Sequence, residues 1–164
     1  MSALVFSAGD YVVYPAHGVG KVLDIEKRTI DGQKIDFFVI NFERSRMLLR
    51  IPVEKISASG LRRLSTRETM DTALTTLTGR ARVRRAMWSR RAQEYEQKIN
   101  SGNPVSVAEV VRDLHRNENQ AEQSYSERQI YEQALERLAC ELAVLEHIET
   151  DAATARLEKL LPAA

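Results

Sequence analysis

Leu61-Arg62-Arg63-Leu64-Ser65-Thr66-Arg67-Glu68-Thr69-Met70 is the stretch in which the chain changes its period. Before it, apolar residues fall at strand spacing and are interrupted by Gly, Pro and Asp; after it, they recur every third or fourth position. Ser65-Thr66-Arg67-Glu68 reads as a capping box, in which the Ser65 hydroxyl and the Glu68 carboxylate satisfy reciprocal backbone donors at a helix start. A β part therefore gives way to an α part, with the join near Ser57 to Ser65. The expected domains are residues 1–58 and 65–164.

Working back from the join, four short strands are predicted. Tyr11 to Tyr14 runs into Pro15, Lys21 to Thr29 alternates through Val22 and Ile25, Ile35 to Phe42 is β-branched and aromatic, and Met47 to Ile51 runs into Pro52. Asp31-Gly32 tolerates the positive φ angles of a tight hairpin turn, and Glu43 to Arg46 closes the next hairpin. A fifth strand fits Leu61 to Leu64. Such a set suggests a small, bent antiparallel sheet or SH3-like barrel, a module that binds rather than catalyses.

Working forward, five helices are predicted. The first follows the Ser65 cap to about Thr78, with Met70, Ala73, Leu74 and Leu77 on one face. The second spans Arg80 to Asn100, and the third is capped by Ser106 with Glu109 in the reciprocal position. The fourth runs from about Ser124 to Ile148 and buries Ile130, Ala134, Leu138, Leu142 and Leu145. A short last helix carries Leu157, Leu160 and Leu161. Helices this amphipathic can bury one another, so the fold class is α+β in two domains, a β-barrel followed by a compact all-α domain.

Composition narrows the function. Of 164 residues 43% are hydrophobic, enough for a folded chain, and no apolar run approaches the roughly twenty residues of a membrane helix. The N-terminus lacks a secretory pattern, so a cytoplasmic protein is expected. Cys140 is alone and His17, His115 and His147 are scattered, which leaves no metal set, no catalytic constellation and no cofactor motif. Gly18-Val19-Gly20-Lys21 fails as a phosphate loop because Pro15 and Val22 occupy its first-glycine and hydroxyl positions; its glycines are expected to turn the chain between the first two strands. The net charge of +1 is uneven: ten Lys/Arg against seven Asp/Glu to residue 65, eight against four to residue 100, six against twelve beyond. A basic middle would orient the protein on a polyanion, with salt-dependent binding.

Within that middle, Arg80 to Arg91 packs six arginines around the only tryptophan. Arginine forks suit phosphates and an indole can stack on a base or wedge beside one. Arginine-rich helix faces are more often merely solvated, and Trp88, Ala92, Tyr95 and Ile99 at helical spacing describe a core stripe. With Arg84, Arg85 and Arg91 beside it on the helix, Trp88 belongs at the edge of the domain. The arginines of the β part, Arg28, Arg44, Arg46 and Arg50, read either as solubilising edge charges or as a partner-recruiting strand edge.

Gly9-Asp10-Tyr11-Val12-Val13-Tyr14-Pro15-Ala16-His17-Gly18-Val19-Gly20, Met87-Trp88-Ser89-Arg90-Arg91 and Ala108-Glu109-Val110-Val111-Arg112-Asp113-Leu114 together resemble the CarD/CdnL family of bacterial transcription regulators. The first motif also resembles the polymerase-interacting module of the transcription-repair coupling factor, but this chain has no room for a motor. The resemblance implies a Tudor-like N-terminal domain that docks on the β subunit of RNA polymerase, and a helical domain that touches promoter DNA with little sequence specificity and stabilises the open complex. It implies Arg28 and Arg50 at the polymerase interface, Trp88 as a minor-groove wedge at the upstream bubble edge, and Arg90 and Arg91 near phosphates. Gln93 stands where some members carry a lysine; Arg80 to Arg85, with Arg84 and Arg85 counted as DNA contacts, are the compensating run. A monomer with no membrane partner is expected. The rival reading is a protein-only adaptor with Trp88 in the core.

Overall fold

The computed structural model describes residues 6–82, 86–116 and 123–162. It divides into two compact units, 1–64 and 65–164, each with its own core.

The first unit is a five-stranded antiparallel sheet: β1 (Tyr11–Tyr14), β2 (Gly18–Ile30), β3 (Gln33–Phe42), β4 (Met47–Pro52) and β5 (Arg62–Arg63). The order is β4-β3-β2-β1-β5, so the last strand returns to pair with the first, Val12 opposite Arg63 and Val13 opposite Arg62. This return curls the sheet around a core of Val12, Val22, Phe38, Ile40, Phe42 and Ile51, sealed by Phe6, Ile56 and Leu61. Because β5 belongs to the sheet, this unit reaches Leu64.

Of the two glycines after His17, Gly18 serves the turn as expected, closing it with φ of 79°, while Gly20 does not. Pro15-Ala16-His17 leads into it, with the His17 N–H donating to the Tyr14 carbonyl at 3.1 Å, and β2 already begins at Gly18. Gly20 serves close packing instead: a Cβ there would lie 2.7 Å from Phe42 Cε1 and 2.8 Å from Ile40 Cγ2. Asp31-Gly32 closes the β2–β3 hairpin with φ of 51° and 79°, positive at both central positions.

β2 is not a regular strand. Val22 faces Ile40, yet Asp24 faces Val39, so one extra residue is inserted between them. Side chains alternate faces along a strand, so the insertion switches parity. Val22 points into the core, while beyond the bulge Ile25 aligns with inward Phe38, and Glu26 and Arg28 turn outward.

The second unit contains α1 (Arg67–Leu77), α2 (Trp88–Asn100), α3 (Pro104–Leu114), α4 (Tyr125–Glu146) and α5 (Thr150–Leu160). The expected stripes form its core, Met70, Ala73 and Leu77, Tyr95 and Ile99, Ile130, Ala134, Leu138 and Leu142, Leu157 and Leu161, joined by Val107, Val110, Val111 and Leu114 of α3, with Leu74, Leu145 and Leu160 packed at its margin.

Three helix starts differ from expectation. Thr66, not Ser65, caps α1 by accepting from the Thr69 N–H at 3.1 Å, because the Ser65 N–H is taken by buried Glu141 at 2.7 Å. α3 begins earlier than Ser106: Asn103 accepts from the Val105 N–H at 2.9 Å and Pro104 sits in the first turn, the stronger start signal. α2 begins at Trp88 rather than Arg80. Its would-be first turns hold four arginines, which oppose the positive end of a helix dipole, and the Arg82 N–H donates instead to the buried Asp113 carboxylate at 2.9 Å. α4 carries the complete capping box, Ser124 with Glu127, and ends on His147 at φ 56°.

Gly20→Ala should destabilise the first unit by about 2–3 kcal/mol, the cost of overpacking a filled core. Chemical denaturation of the full chain should show the loss in the β transition; a neutral substitution would mean that Phe42 and Ile40 yield freely.

Candidate functional site

Each unit presents one cluster. In the first, the bulge places Glu26, Arg28, Phe37, Val39 and Arg50 on the face of the sheet opposite the core, since Glu26 lies across from Phe37, and Arg50 across from Val39. The Glu26 carboxylate joins two arginines that are distant in sequence: Arg28 Nε donates to Oε1 at 2.7 Å and Arg50 Nε to Oε2 at 3.1 Å. These hydrogen bonds, Arg28's first, hold the Glu26 carboxyl below the usual carboxylate range. The result is two part-exposed guanidinium groups aligned over the partly covered Phe37 and the buried Val39, a surface suited to a carboxylate-bearing partner. Glu26 escaped the reading from sequence; the three-residue spacing of Val22 and Ile25, which a regular strand cannot accommodate on one face, was the signal for it.

In the second unit Trp88 is the first residue of α2. Its indole is half-buried against the helical core, 6.2 Å from the Tyr95 ring, and its Nε1–H donates to Ser126 Oγ of α4 at 3.2 Å. The starts of α2 and α4 are thereby brought together. The residue preceding Trp88, Met87, is 79% exposed, and Tyr125, which precedes Ser126, is 77% exposed. Neither was singled out from sequence, because a large apolar residue there has no periodic signature; the Ser124 capping box does locate Tyr125 at a helix start. Met87 supplies the helix with no side-chain cap, so among the described residues the N–H groups of Trp88 and Ser89 at the start of α2 have no capping side chain and suit an anion.

The arginines divide. Arg90 is exposed beside Trp88. Arg91 folds back: its guanidinium lies 5.4 Å from the Trp88 ring centre and 5.8 Å from that of Tyr95, and Nη2 donates to the Tyr95 hydroxyl at 3.3 Å. Gln93 is exposed. Arg84 and Arg85 lie outside the described residues. Among the described residues, no group of three or more His, Cys, Asp or Glu is placed to hold a metal, and no helix is long and apolar enough to cross a membrane.

Two family matches divide the chain as its structure does. Residues 6–65 match the CarD-like/TRCF RID domain and residues 72–158 the CarD C-terminal domain. The chain belongs to the CarD/CdnL family. It is 31% identical over 144 residues to YdeB of Bacillus subtilis (strain 168), which carries a transcription-factor name, covering 88% of this chain and 94% of that one. Two solved structures from Myxococcus xanthus are similar to part of it. The 72-residue N-terminal domain of CarD is 33% identical, covering 38% of this chain and 84% of its own, with a TM-score of 0.32. The protein titled CdnLNt is 35% identical, covering 40% and 93%, with a TM-score of 0.33. Membership in this family makes the chain a transcription regulator, in a family that is generally non-enzymatic.

Glu26 stays ionised below the ordinary carboxylate value of 4.5, so whatever the Arg28–Glu26–Arg50 bridge contributes is present above that value and is lost as pH falls through the lowered one. A carbon-detected titration should place the Glu26 midpoint below 4.5, and Arg28→Ala should move it upward; an unchanged midpoint in that variant would rule out the bridge. Ser126→Ala should leave the melting temperature within a few degrees, because one half-exposed hydrogen bond contributes about 1 kcal/mol, yet lower the fluorescence anisotropy of Trp88, the sole tryptophan.

Proposed function

We propose that the first unit docks on the β subunit of RNA polymerase through Arg28 and Arg50, and that the second stabilises the open promoter complex by wedging Trp88 at the upstream edge of the bubble. The reading is carried by the position of Trp88. It stands at the uncapped start of a helix, half-exposed, beside exposed Arg90 and next to the exposed Met87, in a domain of the CarD C-terminal family. An indole edge so placed can enter a distorted minor-groove step while Arg90 and the open N–H groups face phosphates.

The physical basis is differential affinity. A wedge gains stacking only where the neighbouring step is already opened, so it favours the melted promoter over the closed one. About 1–2 kcal/mol, a roughly five- to thirty-fold shift, is enough to change promoter output. Docking through Arg28 and Arg50 raises the local concentration of the second unit, so weak intrinsic DNA affinity suffices. Arg84 and Arg85 belong to this proposal as further phosphate contacts. Arg91 contributes by holding the indole, since its guanidinium is engaged with Trp88 and Tyr95.

A second reading has an observation in its favour. Trp88 packs on the core and its indole N–H is engaged, which is what a protein-only adaptor with a structural tryptophan would show.

Open-complex lifetime, measured by competitor challenge with and without the protein, separates the two. The wild type should lengthen it; Arg50→Ala should abolish the effect and the binding to polymerase. Trp88→Phe, which keeps most of the packing, should shorten the lifetime with binding intact. A full effect from Trp88→Phe, with a lowered melting temperature, would establish the adaptor reading.

A further inference from the structure

Arg91 also lines a pocket of about 350 Å³ between α2, α3 and the segment before α2. The size falls at the lower end for small-ligand sites. Arg82 enters it from that segment, Tyr95 and Lys98 from α2, and Ser101 and Ser106 from the α2–α3 end. Three cations and three hydroxyls thus converge.

The lining also holds two carboxylates, Glu94, which has a partner of its own, and Asp113, which is committed to the fold. Its Oδ1 accepts from Arg112 Nε and from the Arg82 N–H, each at 2.9 Å. That clamp fixes the chain so that Arg82 lies at the pocket. Arg91 Nη2 is taken by the Tyr95 hydroxyl, but its Nε is buried and, among the described residues, has no hydrogen-bond partner. A buried charged donor left unsatisfied is unfavourable, and an anion in the pocket would satisfy it. The planar fork of arginine, with a lysine and hydroxyls around it, fits a phosphate group.

We propose that this pocket binds a phosphate group and that its occupancy is felt at Trp88 through Arg91. The same guanidinium that would turn to the anion lies over the indole, so filling the pocket changes what holds the ring. The phosphate comes either from a nucleic-acid strand or from a free phosphorylated small molecule. The proposal adds to the wedge reading but does not depend on it, because its test contains neither polymerase nor promoter.

The full chain is titrated with inorganic pyrophosphate while the fluorescence of its one tryptophan is followed. A saturable change is expected, with affinity reduced about tenfold by Arg82→Gln and by Lys98→Gln, the loss of one charge-assisted contact each. A change that sodium chloride reproduces at matched ionic strength, or an affinity that both substitutions leave alone, overturns the proposal. If either substitution lowers the melting temperature, the unsubstituted chain decides: pyrophosphate must shift the Arg91 Nε–H resonance, and an unmoved resonance overturns it. A parallel titration with a short forked duplex identifies the source. Weakening of both ligands by Arg82→Gln assigns the site to a strand phosphate, and weakening of pyrophosphate alone assigns it to a free ligand.

Discussion

One inserted residue in β2 decides which side chains the first unit presents on its outer face. Strand side chains alternate strictly, so Val22 in the core would carry every even-numbered residue of the strand inward with it. The bulge between Val22 and Asp24 breaks that rule. It brings Ile25 beneath Phe38 and turns Glu26 and Arg28 to the outer face, where Arg50 of β4 completes the bridge. Without it, Asp24, Glu26 and Arg28 would take the same face of the sheet as Val22, and Arg50 would lose its partner on the outer face. The bulge leaves Leu23 45% exposed.

The second unit depends on a comparable choice at the start of α2. Asp113, buried in α3, holds the Arg82 backbone and the Arg112 side chain together, and α2 begins at Trp88. Starting the helix at Trp88 places the indole at an edge instead of mid-face. Had α2 extended back to Arg80, Trp88 would sit two turns inside a helix, its backbone N–H spent on the preceding turn. The open N–H groups, the exposed Met87 and the half-covered ring all follow from where the helix begins. Arg91 links this edge to the interior, since one guanidinium meets Trp88, Tyr95 and the neighbouring pocket.

Much of the architecture was legible because it is periodic. Four strands, the Asp31-Gly32 turn, five helices and their buried stripes each repeat a local rule many times over, so no single position had to be read correctly. The starts of helices were less legible: Ser65 and Ser106 both fit a cap, yet each lost to a neighbour. Ser65 lost because its N–H meets Glu141, 76 positions away, and Ser106 because Asn103 and Pro104 act earlier. The polar residues that organise the interior, Asp113 and Glu141, look in sequence like any other charge on a helix.

By itself the sequence determined the two-part α+β organisation, the place where it changes, the apolar faces and the family, because hydrophobic spacing and short motifs are local properties. The family resemblance implied roles for Arg28, Arg50, Trp88 and Arg90. Only tertiary structure decided that Glu26 gathers the two arginines, that Ser126 and Arg91 fix the indole, and that three cations meet beside it. Each of these joins residues from different elements, and the parity of a strand or the first residue of a helix is set by what the element packs against.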